Sequence, residues 1–151
     1  MNEAASEVRC MLIPLRQGRL LLPNSTVAEV MGYRDPDPVD GAPDWVRGKV
    51  GWRQRDILVV DFERLLGRRD SAASVRQRIA VCYSLDPEAS WPVLGLLSQG
   101  IPRLLRVDEE AIADAGAPVQ DRDPVRMRVI VDGEELLVPD LDKLRQRLPA
   151  A

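Results

Sequence analysis

Histidine is absent from this sequence of 151 residues. The absence removes the commonest general base and metal ligand, together with every nucleophile that a histidine would activate. Glycine-rich phosphate-binding patterns are missing as well. These gaps argue against an enzyme, and we expect no catalytic residue and no cofactor.

Aromatic residues, cysteines and long apolar runs are also scarce. Six aromatic side chains offer few platforms on which nucleic-acid bases could stack. No apolar run approaches the roughly 18 residues of a membrane span, and the N-terminus lacks a signal-peptide pattern, so we expect a cytoplasmic protein. Cys10 and Cys82 lie far apart in apolar segments, which predicts two buried free thiols rather than a disulfide.

Charge is nearly balanced overall, at −3, but it is unevenly distributed. Basic residues dominate 47–78 and acidic residues dominate 108–123. A protein whose affinity depends on neutralising phosphates would carry more positive charge. A small β-barrel that binds nucleic acid nevertheless stays open as an alternative. Its candidate contacts are Arg47, Lys49, Arg53 and Arg55.

The segment 34–45 combines prolines with aspartates, which is typical of a loop. Its Asp35, Asp37, Asp40 and Asp44 could be considered as ligands of a hard cation. However, prolines separate them, and the spacing and glycine of a calcium loop are missing. We therefore expect a solvated loop and no metal site.

Short apolar runs separated by turn residues predict many strands and few helices. Asp132-Gly133 is the strongest hairpin signal, and a tight Arg-Gln-Arg turn is expected to join the strands "GKVGW" and "DILVVDF". Residues 24–33 fit either a short helix or a bent strand. Residues 91–97 and 101–107 are expected to form a bent strand pair, and 141–148 are expected to be part of an amphipathic C-terminal helix.

The two halves of the chain share a local pattern. The motif V-x-D-[FL]-x-x-L occurs at 59–65 and again at 138–144, which suggests a structural repeat. We therefore predict an all-β fold in which two small β-barrels pack together with short helices. The predicted boundaries are one domain over 1–151, a first barrel at 19–70, a second barrel at 77–138, and terminal segments 8–15 and 139–149 packed on them.

Several stretches of the sequence resemble the CheW-like domain of bacterial chemosensory systems. The specific ones are "VAEVMGY" (27–33), "APDWVRGKVGWR" (42–53) and "ILVVDF" (57–62). The stretches 94–107 and 129–144 match the closing strands of the family more loosely. The resemblance thus covers nearly the whole chain.

The sequence departs from the family pattern around its central arginine. Gly51, Trp52, Gln54 and Leu58 stand where the pattern has Asn, Leu, Gly and Pro. The Trp-Arg pair looks like the branch attached to type IV pilus and twitching-motility systems, the PilI- and ChpC-like proteins.

The resemblance implies two SH3-like, five-stranded barrels and a non-catalytic adaptor. CheW-like proteins couple the cytoplasmic tips of methyl-accepting chemoreceptors to a CheA-type histidine kinase, so recruitment to membrane-associated receptor arrays is expected. A detached regulatory domain of such a kinase, which is itself CheW-like, stays open as an alternative.

Two sets of candidate contact residues follow from the resemblance. Receptor binding is expected at Arg53 and Gly48, with Trp52 beside them. Contact with the kinase is expected at Val27 and Glu29, with Val30 on the same apolar edge. The residues themselves leave two questions open: Arg53 could be exposed or paired with Asp61 or Asp56, and Val27 could belong to an interface or to the core.

Overall fold

A computed structural model describes residues 7–68, 75–84, 86, 88, 90–114 and 124–149. Within these ranges, eleven strands form two sheets, and only two short α-helices accompany them. The predicted all-β fold with short helices is confirmed. None of the helices in these ranges is long and apolar enough to cross a membrane.

Sheet A has six strands. They are β1 (Glu7–Pro14), β2 (Arg19–Pro23), β8 (Arg103–Asp108), β9 (Ala113–Asp114), β10 (Val125–Val131) and β11 (Glu134–Pro139). Their spatial order is β8-β1-β2-β11-β10-β9.

Sheet B has five strands. They are β3 (Val27–Gly32), β4 (Val46–Trp52), β5 (Arg55–Val60), β6 (Arg78–Tyr83) and β7 (Val93–Ser98). Their spatial order is β3-β6-β7-β5-β4, so β3 and β4 are the two edge strands.

The two sheets repeat one pairing scheme. From β8 to β10 in sheet A, successive neighbours are antiparallel, antiparallel, parallel and antiparallel. From β3 to β4 in sheet B, the sequence of pairings is the same. The internal repeat that the sequence motif suggested therefore extends to the topology of both barrels.

The division of strands between the barrels differs from the predicted boundaries at 19–70 and 77–138. Sheet B takes β6 and β7 from the expected second barrel, whereas β2 from the expected first barrel pairs with β1 and β11 in sheet A. The segment 8–15 does not pack on a barrel from outside but forms most of β1, between β8 and β2. Turn signals identify local hairpins, but they carry no information on which distant strands become neighbours.

Two local expectations also need correction. The expected pair of strands at 91–107 does not form, because β7 belongs to sheet B and β8 belongs to sheet A. The segment 24–33 combines both expected alternatives, as a 3-10 turn at Asn24–Thr26 followed directly by β3.

Both copies of the V-x-D-[FL]-x-x-L motif run from a strand into a short helix. Helix α1 (Phe62–Leu65) is capped by Asp61, whose carboxylate accepts a hydrogen bond from the Arg64 amide at 3.2 Å. Helix α2 (Leu141–Gln146) is capped in the same way by Asp140. The aspartate of the motif is thus an N-cap in both copies, since its side chain satisfies an amide that the helix leaves free.

Three clusters of buried side chains form the core. One fills the interior of sheet A and includes Cys10, a second fills the interior of sheet B and includes Trp52, and the third lies between the sheets and includes Phe62 and Cys82. The two cysteines are buried and free, as predicted, and they lie in different clusters. Burial raises the pKa of the Cys82 thiol to about 12 and also raises that of Cys10.

Candidate partner-binding surfaces

A two-residue turn at Arg53-Gln54 projects from sheet B between β4 and β5. Both residues have positive φ angles, 46° and 65°, as the type I′ hairpin turn requires. Neither residue is glycine, so the turn holds two side chains in a backbone region that they rarely adopt. The expected turn is thus shorter than Arg-Gln-Arg, because Arg55 pairs with Trp52 and begins β5.

Glu29, which is expected to contact the kinase, binds Trp52 and Arg53, which are expected to contact the receptor. Its Oε1 atom accepts hydrogen bonds from Trp52 Nε1 at 3.2 Å and from Arg53 Nη2 at 3.4 Å. The Arg53 guanidinium also lies over the Trp52 ring, 4.6 Å from its centroid. The structure therefore places Glu29, Trp52 and Arg53 in one cluster.

This cluster spans the open side of sheet B. Glu29 belongs to β3 and Trp52 to β4, which are opposite edges of the sheet. Their side chains meet where no backbone ladder joins the two strands. Arg53 and Glu29 remain 62% and 44% exposed, so this ion pair is a surface interaction and contributes little to stability.

Neither of the carboxylates considered as a partner of Arg53 takes that position. Asp61 caps α1, and its carboxylate lies 3.5 Å from Arg47. Glu29 is the partner instead, although it lies 24 residues away. Sequence spacing could not reveal this pair, because it forms only when β3 and β4 face each other across the barrel.

The two valines expected at the kinase occupy different environments. Val27 is partly buried against the core between the sheets, and its partner on β6 is the fully buried Cys82. Val30 is 36% exposed on the edge strand. A β-bulge separates Val27 from Glu29 and changes which side chains point outward beyond it. Val30 is thus the more accessible of the two.

Gly48 occupies a position that only glycine fits. Its φ angle is +136°, and a Cβ atom built there would lie 2.2 Å from the Asp37 carbonyl oxygen. The close approach is fixed by two backbone hydrogen bonds of 2.8 Å between Asp37 and Lys49. Gly48 thus has a packing role, and its contact with a receptor stays a prediction.

The four basic residues of the nucleic-acid alternative do not form a uniform set of free cations. Arg47 faces Asp61, and Arg53 faces Glu29. Arg55 is exposed and its side chain has no hydrogen-bond or ion-pair partner among the described residues. Among the residues that the structure describes, no group of three or more acidic or cysteine side chains is placed to hold a metal ion.

Sequence reasoning missed the exposed apolar side chains outside β3. Leu104 on β8 is 52% exposed, Ile101 just before that strand is 58% exposed, and Tyr83 at the end of β6 is 43% exposed. Each falls in a strand predicted from its apolar character, which does not indicate whether the side chain points into the core or to solvent. Such side chains mark surfaces that a partner can cover.

Comparison with known proteins gives a consistent family assignment. The sequence model of the CheW-like domain matches residues 9–148. The fold is similar to that of the scaffolding protein TtCheW from Thermoanaerobacter tengcongensis, with a TM-score of 0.73 and 19% identity over 87% of this chain and 88% of that one. No curated protein matches the sequence significantly.

Proposed function

The chain belongs to the CheW-like domain family, and on this basis we propose that it is a non-catalytic adaptor of a bacterial chemosensory array. In this role it binds the regulatory domain of a CheA-type histidine kinase and the cytoplasmic tip of a methyl-accepting receptor. It acts in the cytoplasm, where membrane-bound receptor arrays recruit it.

The observation that carries the proposal is the cluster of Glu29, Trp52 and Arg53. An adaptor has to hold two partners in a fixed relation, and the candidate residues for both partners share this cluster on one barrel. Trp52 is only 8% exposed and anchors the cluster in the core of sheet B. The two candidate contact surfaces are therefore directly linked through the side chains of this cluster.

The candidate kinase surface is the free edge of β3. This strand has a neighbour on one side only, β6, and presents Val30 and Glu29 to solvent. The unpaired backbone groups of such an edge strand can bind a strand of another protein, and a second barrel of the same kind can pack against it.

The candidate receptor surface is the turn that carries Arg53. The side chain is 62% exposed and offers several N–H donors beyond the one directed at Glu29. The guanidinium is suited to carboxylates and to the free carbonyl groups of a receptor helix end.

Isothermal titration calorimetry with the kinase regulatory domain, and separately with a receptor tip fragment, tests the proposal. We expect saturable binding to both fragments, a selective loss of kinase binding in Val30→Asp, and a selective loss of receptor binding in Arg53→Ala. If neither fragment binds the wild-type protein, the adaptor role is wrong.

We also propose that the protein serves a type IV pilus pathway, on the strength of the Trp52-Arg53 pair. Deleting the gene should then impair twitching on a surface and leave swimming in soft agar unchanged. Impaired swimming with normal twitching would assign the protein to flagellar chemotaxis instead.

A further inference from the structure

A second surface of sheet B, distinct from the β3 edge, has the features of a peptide-binding groove. This open groove has a volume of about 420 Å³ and lies against the end of β6 and the start of β7. We call it the Tyr83 groove. Its main lining residues are Trp52, Arg53, Arg55, Tyr83, Pro92 and Val93.

The floor of the Tyr83 groove is apolar. Tyr83 is paired with Val93 across the β6–β7 ladder, and Pro92, which precedes Val93 in the chain, also lines the groove. Tyr83 is 43% exposed, whereas the four residues before it on β6 are fully buried. A large aromatic side chain left accessible between a proline and an aliphatic residue provides rigid contact area with a polar tip.

The rim of the groove is basic. Arg53 and Arg55 both line it, on either side of the turn residue Gln54. Arg55 is exposed, and its side chain has no partner among the residues that the structure describes. An unpaired guanidinium next to an apolar floor complements a ligand that combines a carboxylate with apolar groups.

The lining residues of the groove suit an extended ligand that carries prolines. Grooves lined by tyrosine, tryptophan and proline accept the pyrrolidine rings of a polyproline II segment, which loses little conformational entropy on binding. In the Tyr83 groove the exposed ring of Tyr83 and the half-buried Pro92 offer such a surface, above the buried Trp52. Its basic rim then selects acidic residues between the prolines.

The chain itself packs one acidic, proline-bearing segment on a different edge of this barrel. The acidic, proline-bearing stretch at 34–38 lies along the other edge of sheet B, where Asp37 pairs with Lys49 through backbone hydrogen bonds. Pro36 packs there against Gly48.

We infer that the Tyr83 groove binds an acidic, proline-containing extended segment of a partner protein. Prolines of the segment pack on Tyr83 and Pro92, and a carboxylate of the segment pairs with Arg55. The groove shares Arg53 and Trp52 with the proposed receptor turn but extends beyond it to Tyr83, Pro92 and Arg55, which that turn does not require.

Fluorescence anisotropy with three labelled peptides tests the inference. The first is a repeat of Glu-Pro-Pro, the second replaces each glutamate by lysine, and the third is a helix-forming repeat of glutamate and alanine. We expect saturable binding of the first peptide and at least about tenfold weaker binding of the other two. Failure of the first peptide to bind, or stronger binding of the helical one, would overturn the inference.

Variants locate the binding to the groove. Tyr83→Ala and Arg55→Glu should each weaken binding of the Glu-Pro-Pro peptide at least about tenfold, corresponding to about 1.4 kcal/mol. The matched control is Arg106→Ala, which removes an exposed arginine from β8 in sheet A and should leave binding unchanged. An equal effect of all three variants would mean non-specific charge attraction and would exclude the site.

Two further measurements keep this inference separate from the adaptor function. Circular dichroism establishes that each variant is folded, and calorimetry with the kinase regulatory domain establishes whether the β3 edge still binds. Loss of peptide binding in folded Tyr83→Ala with intact kinase binding supports the groove. Peptide binding that persists in that folded variant refutes it, whatever the kinase result.

Discussion

The indole of Trp52 and the carboxylate of Glu29 meet across the open side of sheet B, with 3.2 Å between Nε1 and Oε1. Their strands, β4 and β3, are opposite edges that share no backbone ladder. The hydrogen bond therefore links the two edges of the barrel through side chains. Because Arg53 binds the same carboxylate oxygen, a partner that displaces Arg53 also changes the environment of the β3 edge.

Replacing Arg53 by alanine should affect binding far more than folding. The side chain is 62% exposed and its ion pair with Glu29 is at the surface, so the loss in unfolding free energy should be within about 0.5 kcal/mol. At the centre of a receptor interface, the same change should weaken binding by about 2 kcal/mol or more, roughly thirtyfold. Thermal unfolding and receptor titration on one preparation measure both quantities. A large drop in Tm would make Arg53 structural.

Aspartate at Val27 and at Val30 should have different effects. Val27 packs against the core between the sheets, so Val27→Asp should destabilise the fold by about 3 kcal/mol. Val30 is 36% exposed, so Val30→Asp should leave the Tm nearly unchanged and remove kinase binding. Urea unfolding and calorimetry distinguish the two variants. Equal Tm values for both would contradict the burial of Val27.

Gly48 and Gly51 form a matched pair on β4. Alanine at Gly48 would force its Cβ against the Asp37 carbonyl at a φ angle of +136°, so we expect a loss of about 2–4 kcal/mol in unfolding free energy. A Cβ atom at Gly51 would meet no atom within 4 Å, and the φ angle there is not positive. Gly51→Ala should therefore change the unfolding free energy by no more than about 0.5 kcal/mol. Chemical denaturation measures both. Tolerance of Gly48→Ala would show that the Asp37 contact can relax.

The thiol of Cys82 should make stability fall with pH in the alkaline range. Burial raises its pKa from 9.0 to about 12, so between these values the unfolded chain loses the proton while the folded chain keeps it. The unfolded state then binds fewer protons, and stability decreases as pH rises, by up to about 1.4 kcal/mol per pH unit. Below pH 9 this effect vanishes.

Urea unfolding of wild type and Cys82→Ala between pH 8 and pH 11 isolates this contribution. The wild type should lose more stability than the variant over this range, while Cys10, whose pKa is also raised, acts equally in both. Parallel pH profiles for the two proteins would show that the Cys82 thiol ionises in the folded state.

Local features of the fold were accessible from the sequence because they depend on neighbouring residues. Asp132-Gly133 marks its hairpin through positive φ angles at both positions, and Asp61 and Asp140 mark helix starts through their capping side chains. The assignment of β6 and β7 to the barrel of β3 was not accessible. All these strands are apolar and short, so many pairings satisfy the same pattern of hydrophobic residues.

The candidate site likewise combines features that the local sequence predicts with features that depend on distant strands. The resemblance predicted roles for Glu29 and Arg53 separately, as expected contacts of different partners. Their hydrogen bond depends on the curvature of sheet B, which no local pattern encodes. The glycine at position 48 was recognisable as a family residue, but its proximity to Asp37 depends on how the loop at 34–45 returns to β4.

The strands of sheet B occupy one continuous stretch, 27–98, whereas sheet A combines 7–23 with 103–139. During synthesis from the N-terminus, all strands of sheet B therefore emerge from the ribosome before β8, β10 and β11. The strands β1 and β2 can pair with β8 and β11 only after these later strands have emerged. We expect the barrel with Trp52 and Arg53 to fold first, during translation, and the other barrel to close around the waiting strands only at the end.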